Sequence, residues 1–248
     1  MKIDLVYKLG SNSSSDNYSE LRYSIRSAVK YFQDLGRIYI IGNKPNWITN
    51  VEFVKLEDSY TSCKDANLIS KLIVACNEPL ISSKFLNMSD DYFFMNQVDS
   101  SYFEKAIYHN DILDFKKDHK FTKWQLRLQR TINLLKSKNL PGNNFETHHP
   151  QLIDKYLYPK TVLNYDYGCD NGYCGNTLYF NTLKADCKAL TDNDLCRLEK
   201  KVESKKDIEI LFKIKPFYFF NYTVLSYSSA IEQFLCDQFN EKTIYELF

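Results

Sequence analysis

The chain has 248 residues, of which 44% are hydrophobic and 25% charged, with a formal net charge of +1. That length buries a substantial core in one domain. The charge balance excludes a global field that recruits nucleic acid or anionic lipid, leaving room only for a local basic patch. Tyr (19) and Phe (17) are abundant and Gly (7) scarce, a bias that reads as drift in an AT-rich genome before it reads as stacking walls of a pocket. No stretch reaches the roughly 20 apolar residues of a membrane-spanning helix, and Met1 to Tyr7 lacks the apolar core of a signal peptide. A soluble, cytoplasmic protein is expected. The seven cysteines have no zinc-finger spacing and read as reduced thiols, with a Cys169–Cys174 bridge or metal clip as the alternative.

Ile3–Tyr7 reads as a buried strand, ended by Gly10 and the polar loop Ser11–Asn17. That loop is either a linker or a ligand-binding turn between a first strand and a first helix. Leu21, Ile25, Ala28, Val29 and Phe32 then recur at helical spacing. Arg22 and Arg26, four apart on that helix, share a face. They either clamp a phosphate or form a solvated face paired to a nearby acid such as Glu20. Arg37–Ile41 is a second strand and Val51–Val54 a third, with Trp47 between them as a core residue or a stacking platform. Asp65–Cys76 is an amphipathic helix.

The run Leu80–Met88 leads into Asp90 and Asp91 and then three aromatics. Carboxylates carried out of the core at the C-terminal end of a strand lie where open α/β sheets do ligand chemistry. Two adjacent acids suit a hard divalent cation, Mn²⁺ or Mg²⁺, shared with substrate phosphates; the alternative is a plain acidic turn. The alternation of strands and helices over the first ninety or so residues predicts a mostly parallel sheet flanked by helices.

The second half is less regular. Helices are expected over Phe121–Lys138, Asp192–Ser204 and Ser226–Phe239, a strand over Pro216–Phe220, a polar turn over Asn143–Pro150 and a loop over Tyr165–Thr177. In the polar turn His148 is either a surface histidine or a neutral imidazole that accepts an acceptor's hydroxyl proton or joins a metal shell.

Three stretches, Asn17–Ser27, Arg37–Trp47 and Phe85–Phe94, together resemble the second conserved region of the Stealth proteins, which are capsular-polysaccharide phosphotransferases. Ile3–Tyr7 is similar to their first region and Glu146-Thr-His-His-Pro150 to their third. The chain also resembles phage and Bacteroides proteins of the glycosyltransferase kind that share Asp65-Ala-Asn67, Glu146-Thr-His148 and Leu178-Tyr-Phe-Asn181. The resemblance covers most of residues 1–95 and, more thinly, 145–181. It implies a single-domain α/β fold of the glycosyltransferase-A kind, with residues 1–98 binding donor and metal and 99–248 facing the acceptor. It implies a nucleotide-sugar donor, taken as a UDP-sugar. Asp90, Asp91 and His148 would hold Mn²⁺ or Mg²⁺, with Asp91 and His148 catalytic and Asp91 the direct ligand if only one acid points outward. Arg22, Arg26, Asp65, Asn67 and Lys71 would bind donor, although Asp65 and Asn67 could equally cap a helix.

The acceptor is a hydroxyl on a polysaccharide, a glycan or a modified DNA base, in host cytoplasm if the gene is a phage's. Ser89 stands where the family has Asn. Gly172–Asn181 contains no Arg or Lys where the family carries an arginine, which favours glycosyl transfer over transfer of a sugar 1-phosphate. A catalytically inactive binding relative is the reading from another class.

Overall fold

In chain order the elements are β1 (Ile3–Lys8), α1 (Ser19–Tyr31), β2 (Leu35–Gly42), β3 (Glu52–Lys55), α2 (Lys64–Asn77), β4 (Lys84–Met88), β5 (Phe93–Phe94), β6 (Ala106–Tyr108), α3 (Lys123–Ser137), β7 (Gln151–Asp154), α4 (Leu157–Val162), α5 (Gly175–Leu183), β8 (Cys187–Ala189), β9 (Leu195–Leu198), α6 (Lys205–Ile214), β10 (Phe219–Tyr222) and α7 (Ser229–Gln238). They come from a computed structural model that describes residues 2–10, 19–109 and 121–247. The Ser11–Asn17 loop lies outside the described residues.

β1 is buried along almost its whole length and sits at the centre of a five-stranded sheet ordered β3-β2-β1-β4-β7. The first four strands are parallel and β7 runs antiparallel beside β4. A strand covered on both faces carries apolar residues at every position, and alternate residues feed separate cores. Leu5 and Tyr7 of β1, with Leu86 and Met88 of β4, meet Leu21, Ile25 and Ala28 of α1. On the other face Val6 and Phe85 meet Ile69, Leu72 and Ala75 of α2, backed by Tyr158 and Tyr179. At the opposite end of the sheet from the acidic turn, buried Asp4 accepts from the amides of Arg37 at 2.7 Å and Ser82 at 2.8 Å. A Cβ on Gly36 would lie 2.5 Å from that carboxylate, so the glycine lets β2 close over it.

A second sheet, β5-β10-β9, has three strands and packs under α6 and α7. Part of the heavy aromatic content goes into the joint between the sheets: Phe94 tilts on Phe219 at 4.9 Å and stacks on Phe32 at 5.6 Å. These rings are core, each burying a large apolar area. β6 and β8 form a separate two-stranded parallel pair.

The second half departs from its sequence pattern in two places. Asp192–Ser204 is not a helix: Leu195–Leu198 is strand β9, paired parallel to β10. Tertiary pairing with an aromatic strand outweighs local helical preference there. The helix begins where that expected one ends, because the Ser204 hydroxyl and the Asp207 carboxylate cap each other's backbone amides. The expected loop over Tyr165–Thr177 turns into α5 at Gly175, where a Cβ would come within 2.8 Å of Ile69 on α2. All seven cysteines are free thiols, so the Cys169–Cys174 bridge is not formed. Among the described residues no helix is long and apolar enough to cross a membrane.

Candidate active site

The turn that carries the acidic pair is pinned from two sides. On α1 the face toward β5 bears serines instead of apolar residues. Ser24 Oγ donates to the Tyr92 carbonyl at 2.6 Å, and Ser27 Oγ accepts from the Phe94 amide at 2.9 Å. From the second sheet, fully buried Asn221 donates through Nδ2 to the Asp91 carbonyl at 2.9 Å. Backbone groups that would otherwise be buried unpaired are thereby satisfied, and the turn is held rigidly.

Below it opens a cleft of about 460 Å³ at the C-terminal ends of β1 and β4, lined by both halves of the chain. The N-terminal half contributes Lys8, Asn87, Ser89, Asp90, Lys64 and Lys71, and the C-terminal half Glu146, Tyr158 and Asn176. Lys8 Nζ donates to Asn87 Oδ1 and, at 2.7 Å, to the Met88 carbonyl. Asn87 continues the chain to Asn176 Oδ1 at 3.0 Å. Glu146 accepts from the Thr177 amide at 3.0 Å, at the N-terminus of α5, where the exposed amides and the helix dipole favour an anion.

Burial dominates the electrostatics. It pushes Lys8 down to about 7, against the opposing pull of Asp90, Glu146 and Asp91. It raises Glu146. It raises Asp90 too, and the neighbouring Asp91 charge raises it further. His148, in a left-handed turn at φ 51°, is pushed down to about 3 by burial and then by the positive charges of Arg197, His109 and Lys64.

Several expected site residues are brought together and others are not. Asp90, Asp65, Asn67 and Lys71 line the cleft. Asp91 does not; its Oδ1 is buried with no hydrogen-bond partner. Asn67 is occupied structurally, accepting from the Tyr60 amide at 2.9 Å and donating to the Tyr60 carbonyl at 2.8 Å. Asp65 is ion-paired to Arg127 on α3, and buried Lys71 to Asp58. Arg22 and Arg26 face away from the cleft into a pair with Glu246: Arg26 Nε and NH2 each donate to its carboxylate at 2.7 Å, and Arg22 NH1 does so at 3.2 Å. The acid is not Glu20, which instead accepts from the Tyr222 hydroxyl at 2.6 Å. Trp47 is a core residue under the Arg22 guanidinium, 4.1 Å from its ring centre.

Among the described residues no three His, Cys, Asp or Glu side chains converge as a metal cage, so Asp90, Asp91 and His148 are not a preformed triad. The carboxylate pair by itself still fits a hard cation. Asp91 Oδ1 lacks any partner, both groups are oxygen ligands, and a site with two carboxylates leaves positions for substrate phosphates.

Lys8, Lys64, Asn87, Glu146 and Asn176 were not among the residues expected to form the site. Lys8 has a legible signal, a lysine ending a buried strand just before Gly10. Glu146 lies in the same polar turn as His148, and nothing local in the sequence shows that its carboxylate is carried into the cleft.

The fold has counterparts among solved structures. A galactosyltransferase, LgtC, in complex with donor and acceptor sugar analogs, superposes with a TM-score of 0.54 at 9% identity over 98% of each chain. An active-site mutant of LgtC does so at 0.54 and 10% identity, again over 98% of each chain. The fold is of the glycosyltransferase-A class. At that identity the likeness carries the fold and nothing more. No family model matches the sequence, and no curated protein matches it.

Proposed function

We propose that this chain is a metal-dependent transferase that takes the sugar of a nucleotide sugar, a UDP-sugar, and delivers it to a hydroxyl acceptor on a glycan or polysaccharide. The observation that carries the reading is the cleft itself, which gathers Lys8, Lys64 and Lys71 around Asp90 at the strand ends. In that cleft Asp65 is neutralised by Arg127 and Asp58 by Lys71. Lys8 and Lys64 remain to face Asp90 and Glu146, with the charge of neighbouring Asp91 also felt at Lys8, so an incoming diphosphate meets carboxylates it would repel. Mn²⁺ or Mg²⁺ held by Asp90 and Asp91 would supply the charge that joins them and neutralise the leaving group.

The chain's own residues do the rest. Lys8 and Lys64 offer ammonium donors to phosphate oxygens. His148, neutral across the physiological range, accepts a hydrogen bond from the acceptor hydroxyl but is too weak a base to take its proton. Glu146, whose burial raises its pKa, is the better proton acceptor. The hydroxyl oxygen bonds to the anomeric carbon, the bond from that carbon to the diphosphate breaks, and the nucleoside diphosphate leaves.

The test is thermal stability with UDP-, GDP- and CDP-sugars, with and without Mn²⁺, on the wild type and Asp90→Asn. A metal-dependent rise in Tm with a UDP-sugar, absent in Asp90→Asn, is expected. No rise with any donor would leave a catalytically inactive relative. Product analysis then separates nucleoside diphosphate, the product of glycosyl transfer, from monophosphate, the product of sugar 1-phosphate transfer.

A further inference from the structure

β9 and β10 alternate between two environments. Leu195 and Phe219 pack into the core of the five-stranded sheet, whereas Cys196, Leu198, Phe220 and Tyr222 pack under α6 and α7. Side chains two apart share a face of a strand, so Arg197 and Asn221 point with Leu195 and Phe219 toward the site. Arg197 stands directly opposite Asn221 in the register, and Asn221 holds the Asp91 carbonyl at 2.9 Å. The arginine is therefore one strand spacing from the residue that holds the acidic turn, close enough to the site for its charge to be felt by Tyr92 and His148.

The other five arginines are all answered. Arg22 and Arg26 are held by Glu246, Arg127 by Asp65, Arg37 by the Leu80 carbonyl and Arg130 by the Asp170 carbonyl. Arg197 alone is not: among the described residues no carboxylate pairs with it, and its Nε is buried without a hydrogen-bond partner. A half-buried guanidinium with no anion is costly to keep, and its fork is shaped for a carboxylate or a phosphate. The donor's phosphates do not need it. The lysines that would receive them line the cleft, and Arg197 does not. It lies on β9, on the far side of β10 from β5 and outside the cleft that would hold the donor, so the anion it would meet belongs to the other substrate.

We propose that Arg197 binds the anionic group of the acceptor, so that the enzyme glycosylates an acidic sugar, one carrying a carboxylate or a phosphate. This rests on the transferase reading for what happens next but not for the binding itself. The phosphate of a nucleic-acid acceptor has related chemistry, but a single unpaired arginine in a chain of net charge +1 offers one anion a seat and no track for a polyanion.

The probes are glucuronic acid and glucose 6-phosphate against glucose, each titrated by ligand-observed NMR with and without UDP. The proteins are the wild type, Arg197→Gln and Arg197→Lys. The acidic sugars are expected to bind the wild type at least about tenfold more tightly than glucose, the value of one charge-assisted pair. Arg197→Gln should lose that preference, Arg197→Lys should keep part of it, and UDP affinity should stay the same in all three. Equal binding of glucose and the acidic sugars by the wild type would overturn the proposal. So would a parallel loss of UDP affinity in Arg197→Gln, which would assign the arginine to the donor. Selective binding of a DNA duplex over the acidic sugars would overturn it as well. If UDP itself fails to bind the wild type, the transferase reading falls while the preference for acidic sugars, measured without UDP, is still judged separately.

Discussion

Arg22 and Arg26 on α1, and Lys8 and Arg197 around the acidic turn, are all partly sequestered cations, yet the protein answers them differently. The α1 arginines are met by Glu246, whose side chain is 1% exposed, through a fork that satisfies both carboxylate oxygens. Lys8 is met by an amide and a carbonyl, neutral oxygens only, and the buried Nε of Arg197 by nothing among the described residues. A cation answered by a protein carboxylate is scaffold, because any ligand anion would first have to displace an acid already desolvated with it. A cation left with neutral partners is available. Helical spacing identified Arg22 and Arg26 as sharing a face. It could not identify the acid on the far side of that face, which lies 224 residues further along the chain.

The largest effect expected from this contrast is in Glu246→Gln. Removing one member of a buried ion pair leaves the other uncompensated, which costs about 3 kcal/mol, on the order of 10 °C in Tm for a chain of this size. Donor binding by the variant, measured below its lowered Tm, should match the wild type; a selective loss of donor affinity would return Arg22 and Arg26 to the site. The pH dependence has a definite sign. Burial, the largest single influence, would raise the Glu246 pKa, but the hydrogen bonds from Arg26 and the Thr243 amide and the charges of Arg26 and Arg22 together outweigh it, and the carboxyl ends below its ordinary 4.5. Its stabilisation is therefore complete above about 4.5 and lost as pH falls through the lower folded value. The gap in stability between wild type and Glu246→Gln should close in acid.

Lys8→Met tests the other side. Lys8 falls from 10.5 to about 7 in the fold, so between those values the unfolded chain binds the extra proton and wild-type stability rises with pH. Lys8→Met should lack that rise in urea melts at pH 7 and pH 10. At pH 7 it should be no less stable than the wild type, while its affinity for a nucleotide sugar drops about tenfold. A loss of stability as large as that of Glu246→Gln would make Lys8 scaffold too.

Much of the architecture was legible because it is written in local periods. The continuous apolar run of Ile3–Tyr7 and the helical spacing of Leu21, Ile25 and Ala28 demand a doubly covered sheet, and the structure has one. Asp90 was legible as a carboxylate at a strand end. What the sequence could not show is pairing across the chain. β9 was hidden because Leu195–Leu198 becomes a strand only against β10, and Arg197 became visible as a site residue only once Asn221 was its neighbour. Lys71 and Asn67, donor-binding residues by the resemblance, line the cleft, but their partners, Asp58 and the backbone of Tyr60, leave no local signature in the sequence.

The smallest effect belongs to Asp91→Asn, and it discriminates most finely. Burial raises the Asp90 pKa, and the Asp91 charge adds to that. In the folded protein Asp90 thus holds its proton more firmly than in the unfolded chain, whose value is near 3.8. The cost of ionising it is felt above that value and relieved as pH falls. Asp91→Asn removes the like charge and should stabilise the metal-free protein at pH 7 by less than about 1 kcal/mol, a margin that vanishes near pH 4. The same variant should lose the rise in Tm that Mn²⁺ gives the wild type, because the exchange removes the negative charge and one of the two oxygens that the carboxylate offers a cation. Stabilisation together with an unchanged Mn²⁺ response would mean that Asp90, the acid that lines the cleft, meets the cation without its neighbour, and that Asp91 serves the site only through the charge it places beside Asp90.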